Sequence, residues 1–222
     1  MCGKVIRFYF DYISPNAYLA WTQLPALAER NGCVVEPVPV LFAGLLEANR
    51  QLGPAEVPAK MRWMWKNTLR KAAAIGVSLN LPAFHPFNPL LALRVSSLAM
   101  EVKQRLDLID ALFGAVWVRG LHTAQPSVVE EVVSETGLDG PALITLAQLP
   151  ACKTELRKQT DQAIANGVFG VPTMAVGDEL FWGYADIPFL QRFLDGTDPI
   201  DRAHWEQSVL PRSSAVRRLP TR

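Results

Sequence analysis

Ser14 and Pro15 stand where an apolar run, Val5-Ile6-Arg7-Phe8-Tyr9-Phe10, gives way to a helical pattern opening at Ala17. The run's β-branched and aromatic residues predict a strand, and a strand-to-helix turn gathers backbone N–H groups that the helix itself cannot satisfy. With the positive end of the helix dipole behind them, these groups favour an anion such as a thiolate or a carboxylate. Ser followed by Pro is also an ordinary helix start, with Ser14 as cap and Pro15 at the first helical position. Both roles stand at this point. A second stretch, Gly167-Val168-Phe169-Gly170-Val171-Pro172-Thr173, places a proline directly before an apolar strand. A cis bond between Val171 and Pro172 stops edge pairing locally and leaves the Val171 N–H and C=O facing outward, where an extended peptide can pair with them.

The remaining reactive side chains are more scattered. In the run 60–67, Lys60, Trp63 and Asn67 fall near one helical face, where cations can meet a carboxylate or merely form a solvated surface over a tryptophan-anchored core. Asn49 is a weaker polar candidate of the same kind. His85, His122 and His204 show no ligand spacing with Cys or carboxylates, so no metal site is expected. His85 suits either pocket lining or packing. Cys2, Cys33 and Cys152 are odd in number and lack C-x-x-C spacing, which argues against a disulfide framework and suits a reducing compartment. The net charge of +1 gives no electrostatic reason to propose nucleic acid or an anionic membrane as partner. Neither a secretory signal nor a bilayer-spanning run is expected, and the cytoplasm is the default location.

Several elements must hold these residues in place. After the first strand, apolar spacing predicts a helix over 16–30 that Asn31-Gly32 closes and Pro25 kinks or restarts. The run 33–41 reads as a strand whose prolines suit an edge. Strand signal then fades, and 44–50, 57–75, 88–105, 108–119, 127–136, 141–148 and 152–166 read as helices, with 88–105 the most apolar and central. Strand character returns at 173–176 and 179–182 around Gly177-Asp178, a hairpin, before a last helix from about 186 to 194. Strand-helix-strand followed by strand-strand-helix is the order of a thioredoxin-like fold. The expected architecture is therefore α/β, a thioredoxin-like βαβ…ββα sheet (1–42 and 168–196) with a large all-helical insertion (43–167) and an irregular tail (197–222). In such a fold the slot after the first strand carries C-x-x-C in thiol oxidoreductases. Here it reads Ser14-Pro15-Asn16-Ala17, so dithiol exchange lacks its nucleophile, whereas a hydroxyl can still hydrogen-bond a thiolate brought by a ligand.

Asp11-x-x-Ser14-Pro15 combined with Gly167 to Thr173 resembles the kappa-class glutathione transferases and 2-hydroxychromene-2-carboxylate isomerases. The run from His85 to Arg94, His-Pro-Phe-Asn-Pro-Leu-Leu-Ala-Leu-Arg, resembles the isomerase branch. The resemblance implies glutathione as cofactor, with Ser14 on its sulfur and Val171, before Pro172, pairing with its cysteinyl backbone. It also implies that the loop Gly183-Tyr184-Ala185-Asp186 receives the γ-glutamyl end. That loop departs from the family's Gly-x-Asp-Arg, so Ala185 stands at the Asp position and Asp186 at the Arg position. Either Asp186 serves from a shifted loop or the γ-glutamyl amine is held differently. Gln51, where many relatives carry Asn, keeps the amide on a longer stem. Candidate glutathione contacts are therefore Ser14, Asn16, Gln51, Lys60, Val171, Pro172, Tyr184, Ala185 and Asp186. His85, Phe87, Asn88 and Trp182 are candidates for the wall of a pocket holding a small aromatic carboxylate. The implied reaction is thiolate addition to the chromene, ring opening, rotation about a carbon–carbon bond and elimination to trans-o-hydroxybenzylidenepyruvate. A transferase or peroxidase acting on another electrophile, or a non-catalytic peptide-binding module, would use the same features. The sequence leaves the oligomeric state open, a homodimer being one possible assembly.

Overall fold

The first strand forms as β1 (Val5–Phe10) and occupies the middle of a four-stranded sheet. The structure, a computed structural model, describes residues 4–201 together with 204 and 205, so most of the tail expected at 197–222 lies outside the described residues. β1 pairs parallel with β2 (Val34–Pro39) and antiparallel with β3 (Thr173–Val176), which turns back into β4 (Glu179–Trp182), giving the order β2-β1-β3-β4. Pro37 and Pro39 stand opposite Phe8 and Phe10, on an edge strand where a missing N–H costs no second ladder. The helix between the parallel strands, α1 (Pro15–Arg30), runs through Pro25 without interruption. Pro25 faces solvent, where water can take up the carbonyl that loses its partner.

Alternation along β1 divides the interior. Ile6, Phe8 and Phe10 point to one face and join Leu19, Leu24, Phe113 and Trp117 in the main core, whereas Tyr9 points to the other and packs with Val40, Leu45, Ala163, Val168 and Val171. Seven α-helices among the described residues make up the segment between β2 and β3: α2 (Phe42–Ala48), α3 (Pro58–Ala74), α4 (Leu90–Ser96), α5 (Val102–Trp117), α6 (Pro126–Glu135), α7 (Gly140–Gln148) and α8 (Pro150–Ala165). The main core runs unbroken from the sheet into this helical layer. A last helix, α9 (Ile187–Leu194), follows β4.

Two boundaries differ from the sequence expectation. The helix expected over 88–105 is divided, because the chain leaves α4 at Ser97 and restarts at Val102, and the break expected between 105 and 108 is absent, because α5 runs through it to Trp117. Side chains supply the breaks: the Ser97 hydroxyl donates to Leu93 O, the Arg105 guanidinium donates to Leu98 O, and the Glu101 N–H donates to the Gln104 amide oxygen. The central helix of the layer is α5, whose Leu108, Ile109, Leu112, Phe113, Val116 and Trp117 are buried. Its aromatic residues reach β1 directly, with the Phe113 ring 5.4 Å from Phe10 and 4.8 Å from Tyr12.

Trp117 does more than pack, since its indole N–H donates to the backbone oxygen of Tyr12 at 2.9 Å in a fully buried position. Trp117→Phe leaves that carbonyl without its donor and should lower unfolding free energy by about 1–3 kcal/mol. Trp21→Phe, which loses only a 3.3 Å bond to the exposed Asp110, should cost less. Urea denaturation with unchanged m-values checks the comparison.

Candidate active site

The residues from Asp11 to Ser14 form a tight turn, closed by the Ser14 N–H donating to Asp11 O at 3.1 Å. Ser14 is extended (φ −94°, ψ 113°) and caps α1, its Oγ accepting the Ala17 N–H at 3.2 Å. The same hydroxyl donates to Val171 O at 3.4 Å, a long contact for an O–H donor. The cap and the ligand-facing role are thus compatible, because the lone pair serves the helix while the proton is only weakly held. Val171 and Pro172, joined by a cis bond, lie against this hydroxyl, and the Val171 N–H has no hydrogen-bond partner among the described residues. The Thr173 hydroxyl bonded to Gly170 O and the Gly183 N–H bonded to Pro172 O hold the flanking backbone.

Asp11, which is 1% exposed, accepts the N–H of Ile13 at 3.1 Å and that of Phe42, at the start of α2, at 2.9 Å. Burial drives its pKa up to about 7 even though these two backbone donors act to lower it. The Tyr12 hydroxyl lies 2.6 Å from Ser96 Oγ, and Ser96 donates onward to Ala92 O, so Tyr12 is the donor of the pair; burial holds the phenol well above its usual range. His85 Nε2 lies 3.0 Å from Ile13 O and must donate there, which leaves Nδ1 as a buried acceptor with no partner. Burial also lowers the His85 pKa, so the ring stays neutral among Trp65, Phe87 and Trp117.

On the other side of the α1 start, the Asn16 amide oxygen accepts from Lys71 Nζ at 2.9 Å, and the ammonium sits 5.4 Å from the centre of the Tyr184 ring. The structure therefore brings Ser14, Asn16, Val171, Pro172, Tyr184 and His85 to one turn. Gln51 and Lys60 are exposed, and their side chains make no hydrogen bond or ion pair among the described residues. Asp186 is tied to its own loop, accepting the Trp182 N–H at 2.9 Å, while Ala185 is exposed and offers no polar group. Asn88 accepts the Leu90 N–H and so caps α4, and Phe87 packs on the core beside His85. Trp182, half exposed, rests 5.1 Å from Phe169 and against Gly170, where an added Cβ would lie 2.5 Å from the indole nitrogen.

Lys71 escaped the sequence reading. Its signal was its position eleven residues after Lys60, three helical turns further along nearly the same face of α3. Neither Cys33 nor Cys152 is bonded to another cysteine, and no His/Cys/Asp/Glu cluster among the described residues could hold a metal. No helix among them is long and apolar enough to cross a membrane.

A family model described as the DSBA-like thioredoxin domain matches residues 5–195. The chain belongs to this family. Within the DSBA-like family, the chain is 34% identical over 193 residues to a 2-hydroxychromene-2-carboxylate isomerase of Sphingobium xenophagum, covering 86% of this chain and 98% of that one. It is 28% identical to glutathione S-transferase kappa 2 of Caenorhabditis elegans, covering 79% of this chain and 82% of the relative. A solved 2-hydroxychromene-2-carboxylate isomerase superposes with a TM-score of 0.78 at 27% identity, over 92% of this chain and 100% of that structure. These relatives place the DSBA-like chain on the isomerase and kappa transferase branch and make it an enzyme of that family.

The Asp11 geometry carries a pH signature. Its folded pKa, about 7, lies above the ordinary 3.8, so the folded state binds more protons between those values and stability falls as pH rises through that window. Asp11→Asn removes the titration. The stability advantage of wild type over this variant should shrink from pH 5 to pH 8, by at most about 1.4 kcal/mol per pH unit, in urea melts at each pH. A constant difference would show that Asp11 ionises normally.

Proposed function

We propose that the protein is a glutathione-dependent isomerase acting on 2-hydroxychromene-2-carboxylate or a close aromatic relative. The observation that carries this reading is the pairing, at one point, of an unpartnered Val171 N–H with a Ser14 hydroxyl whose proton is held only at 3.4 Å. An extended cysteinyl backbone fits the first and a sulfur anion fits the second. Glutathione, when bound, supplies a thiolate that adds to the conjugated carbon and later leaves, so none is consumed.

The chain's own residues do the rest. Ser14 turns its O–H toward the sulfur while its lone pair still caps α1, and the start of α1, where the Asn16 N–H has no partner among the described residues, adds positive potential; both favour thiolate over thiol. Val171 and Pro172 fix the direction of the tripeptide. His85, held neutral and bonded to Ile13 O, closes the turn on the side of Trp65 and Phe87, where an aromatic ring of the substrate finds apolar walls. Phe87 and Trp182 are assigned to the substrate side in this reading, and the exposed Gln51 and Lys60 to the glycyl end. Asn88 serves that wall indirectly by capping α4. A reducing cytoplasm, which keeps glutathione as the free thiol, suits the reaction.

The test is turnover of 2-hydroxychromene-2-carboxylate with glutathione, followed by ultraviolet absorbance and by a thiol titre. Wild type should convert the substrate with no loss of thiol. Ser14→Ala should reduce turnover by about a hundredfold or more while costing the fold only a helix cap, about 0.5–2 kcal/mol. Undiminished isomerisation by Ser14→Ala overturns the mechanism. Loss of thiol in step with turnover identifies a kappa-like transferase instead, and binding of extended peptides without glutathione identifies a non-catalytic module.

A further inference from the structure

We propose that Lys71, held by Asn16 and Tyr184, is the residue that recognises a ligand carboxylate beside Ser14. The inference rests on the glutathione-dependent reading of the Ser14 site and names the charge that this site selects. Lys71 Nζ reaches the second residue of α1, immediately past the Ser14 cap, through its 2.9 Å bond to Asn16, and the Tyr184 ring lies 5.4 Å from it on the loop after β4. It therefore bridges three elements that all border the turn.

Its electrostatic state is incomplete. The ion pairs among the described residues join Arg7 to Glu36, Lys103 to Asp107 and Arg119 to Glu135, and none involves Lys71. A half-buried ammonium whose only bonded partner is a neutral amide has lost water without gaining a counter-charge, and burial accordingly depresses its pKa. An ammonium has three donors, and Asn16 accepts from one. The others are open to an anion arriving at the turn. Asp186, the acid nearest in sequence to Tyr184, does not supply that anion: it forms no ion pair with Lys71, and its Oδ2 is turned to the Trp182 N–H.

A carboxylate meets these requirements. Both the γ-glutamyl residue of glutathione and an aromatic acid substrate carry one, and matched probes separate them. Calorimetry on wild type, Lys71→Met and Lys71→Arg would use glutathione against cysteinylglycine, which lacks the γ-glutamyl carboxylate, and chromone-2-carboxylate against chromone. Lys71→Met keeps the apolar stem and should melt close to the wild-type temperature, since the lost Asn16 bond and Tyr184 ring contact are offset by removal of a half-buried charge. The expected result is at least about a tenfold loss of affinity for one carboxylate probe, no change for the counterpart that lacks that carboxylate, and substantial recovery in Lys71→Arg. Loss confined to glutathione assigns Lys71 to the γ-glutamyl end; loss confined to chromone-2-carboxylate assigns it to the substrate. Equal binding of both acids by wild type and Lys71→Met overturns the proposal, as does equal loss of the matched counterparts, cysteinylglycine or chromone, or failure of wild type to bind either acid. Wild type that takes chromone-2-carboxylate through Lys71 but ignores glutathione keeps Lys71 in its role and removes the glutathione reading.

Discussion

Besides the bonds that close it on itself, the turn Asp11–Ser14 draws a polar partner from each of several distant parts of the chain, and this constraint organises the molecule. The Asp11 carboxylate takes the first N–H of α2, the Tyr12 hydroxyl reaches Ser96 on α4, the Tyr12 carbonyl takes the indole of Trp117 on α5, and the Ile13 carbonyl takes His85 from the loop between α3 and α4. Ser14 then meets the backbone before β3. A buried carbonyl or carboxylate left without such partners costs more than the bond itself yields, so these contacts act together in fixing one conformation. The helical segment is thereby part of the site's construction. Without α2, α4 and α5 the turn would have to expose its polar groups to water or bury them unpaired.

This arrangement explains which features were legible in the sequence. The four strands show through because β-branched and aromatic runs are bounded by Gly, Asn-Gly and Gly-Asp, and the prolines of β2 declare an edge before any pairing is known. Ser14 and Val171–Pro172 are legible because each belongs to a local motif. The break between α4 and α5 is hidden, since apolar residues continue across it and both helices bury them in the same core. Only Glu101 and Gln104, a polar start inside an apolar stretch, mark the second helix.

Lys71 is harder to read for a different reason. Among the lysines of α3, Lys60 and Lys66 are exposed and Lys71 is half-buried, although Lys60 and Lys71 share nearly the same face of the helix. The difference is tertiary: α3 crosses α1 so that its last turns, not its first, lie over Asn16. The same is true of His85, whose value comes from the orphan carbonyl of Ile13, far away in sequence.

The charge balance around Ser14 follows from these placements. The start of α1 and the Lys71 ammonium supply positive potential, while Asp11, three residues before Ser14, is the nearest acid in the chain. With its pKa near 7, Asp11 is substantially protonated at and below neutrality, so it opposes an anion at the turn less than an ordinary aspartate would. In the proposed glutathione-dependent reaction, raising the pH would ionise the ligand thiol and also Asp11, and the second charge opposes the first. The anion is therefore favoured most by this turn where the thiolate already forms and Asp11 has not yet lost its proton. That condition ties the chemistry at Ser14 to the burial of a carboxylate that never needs to touch the ligand.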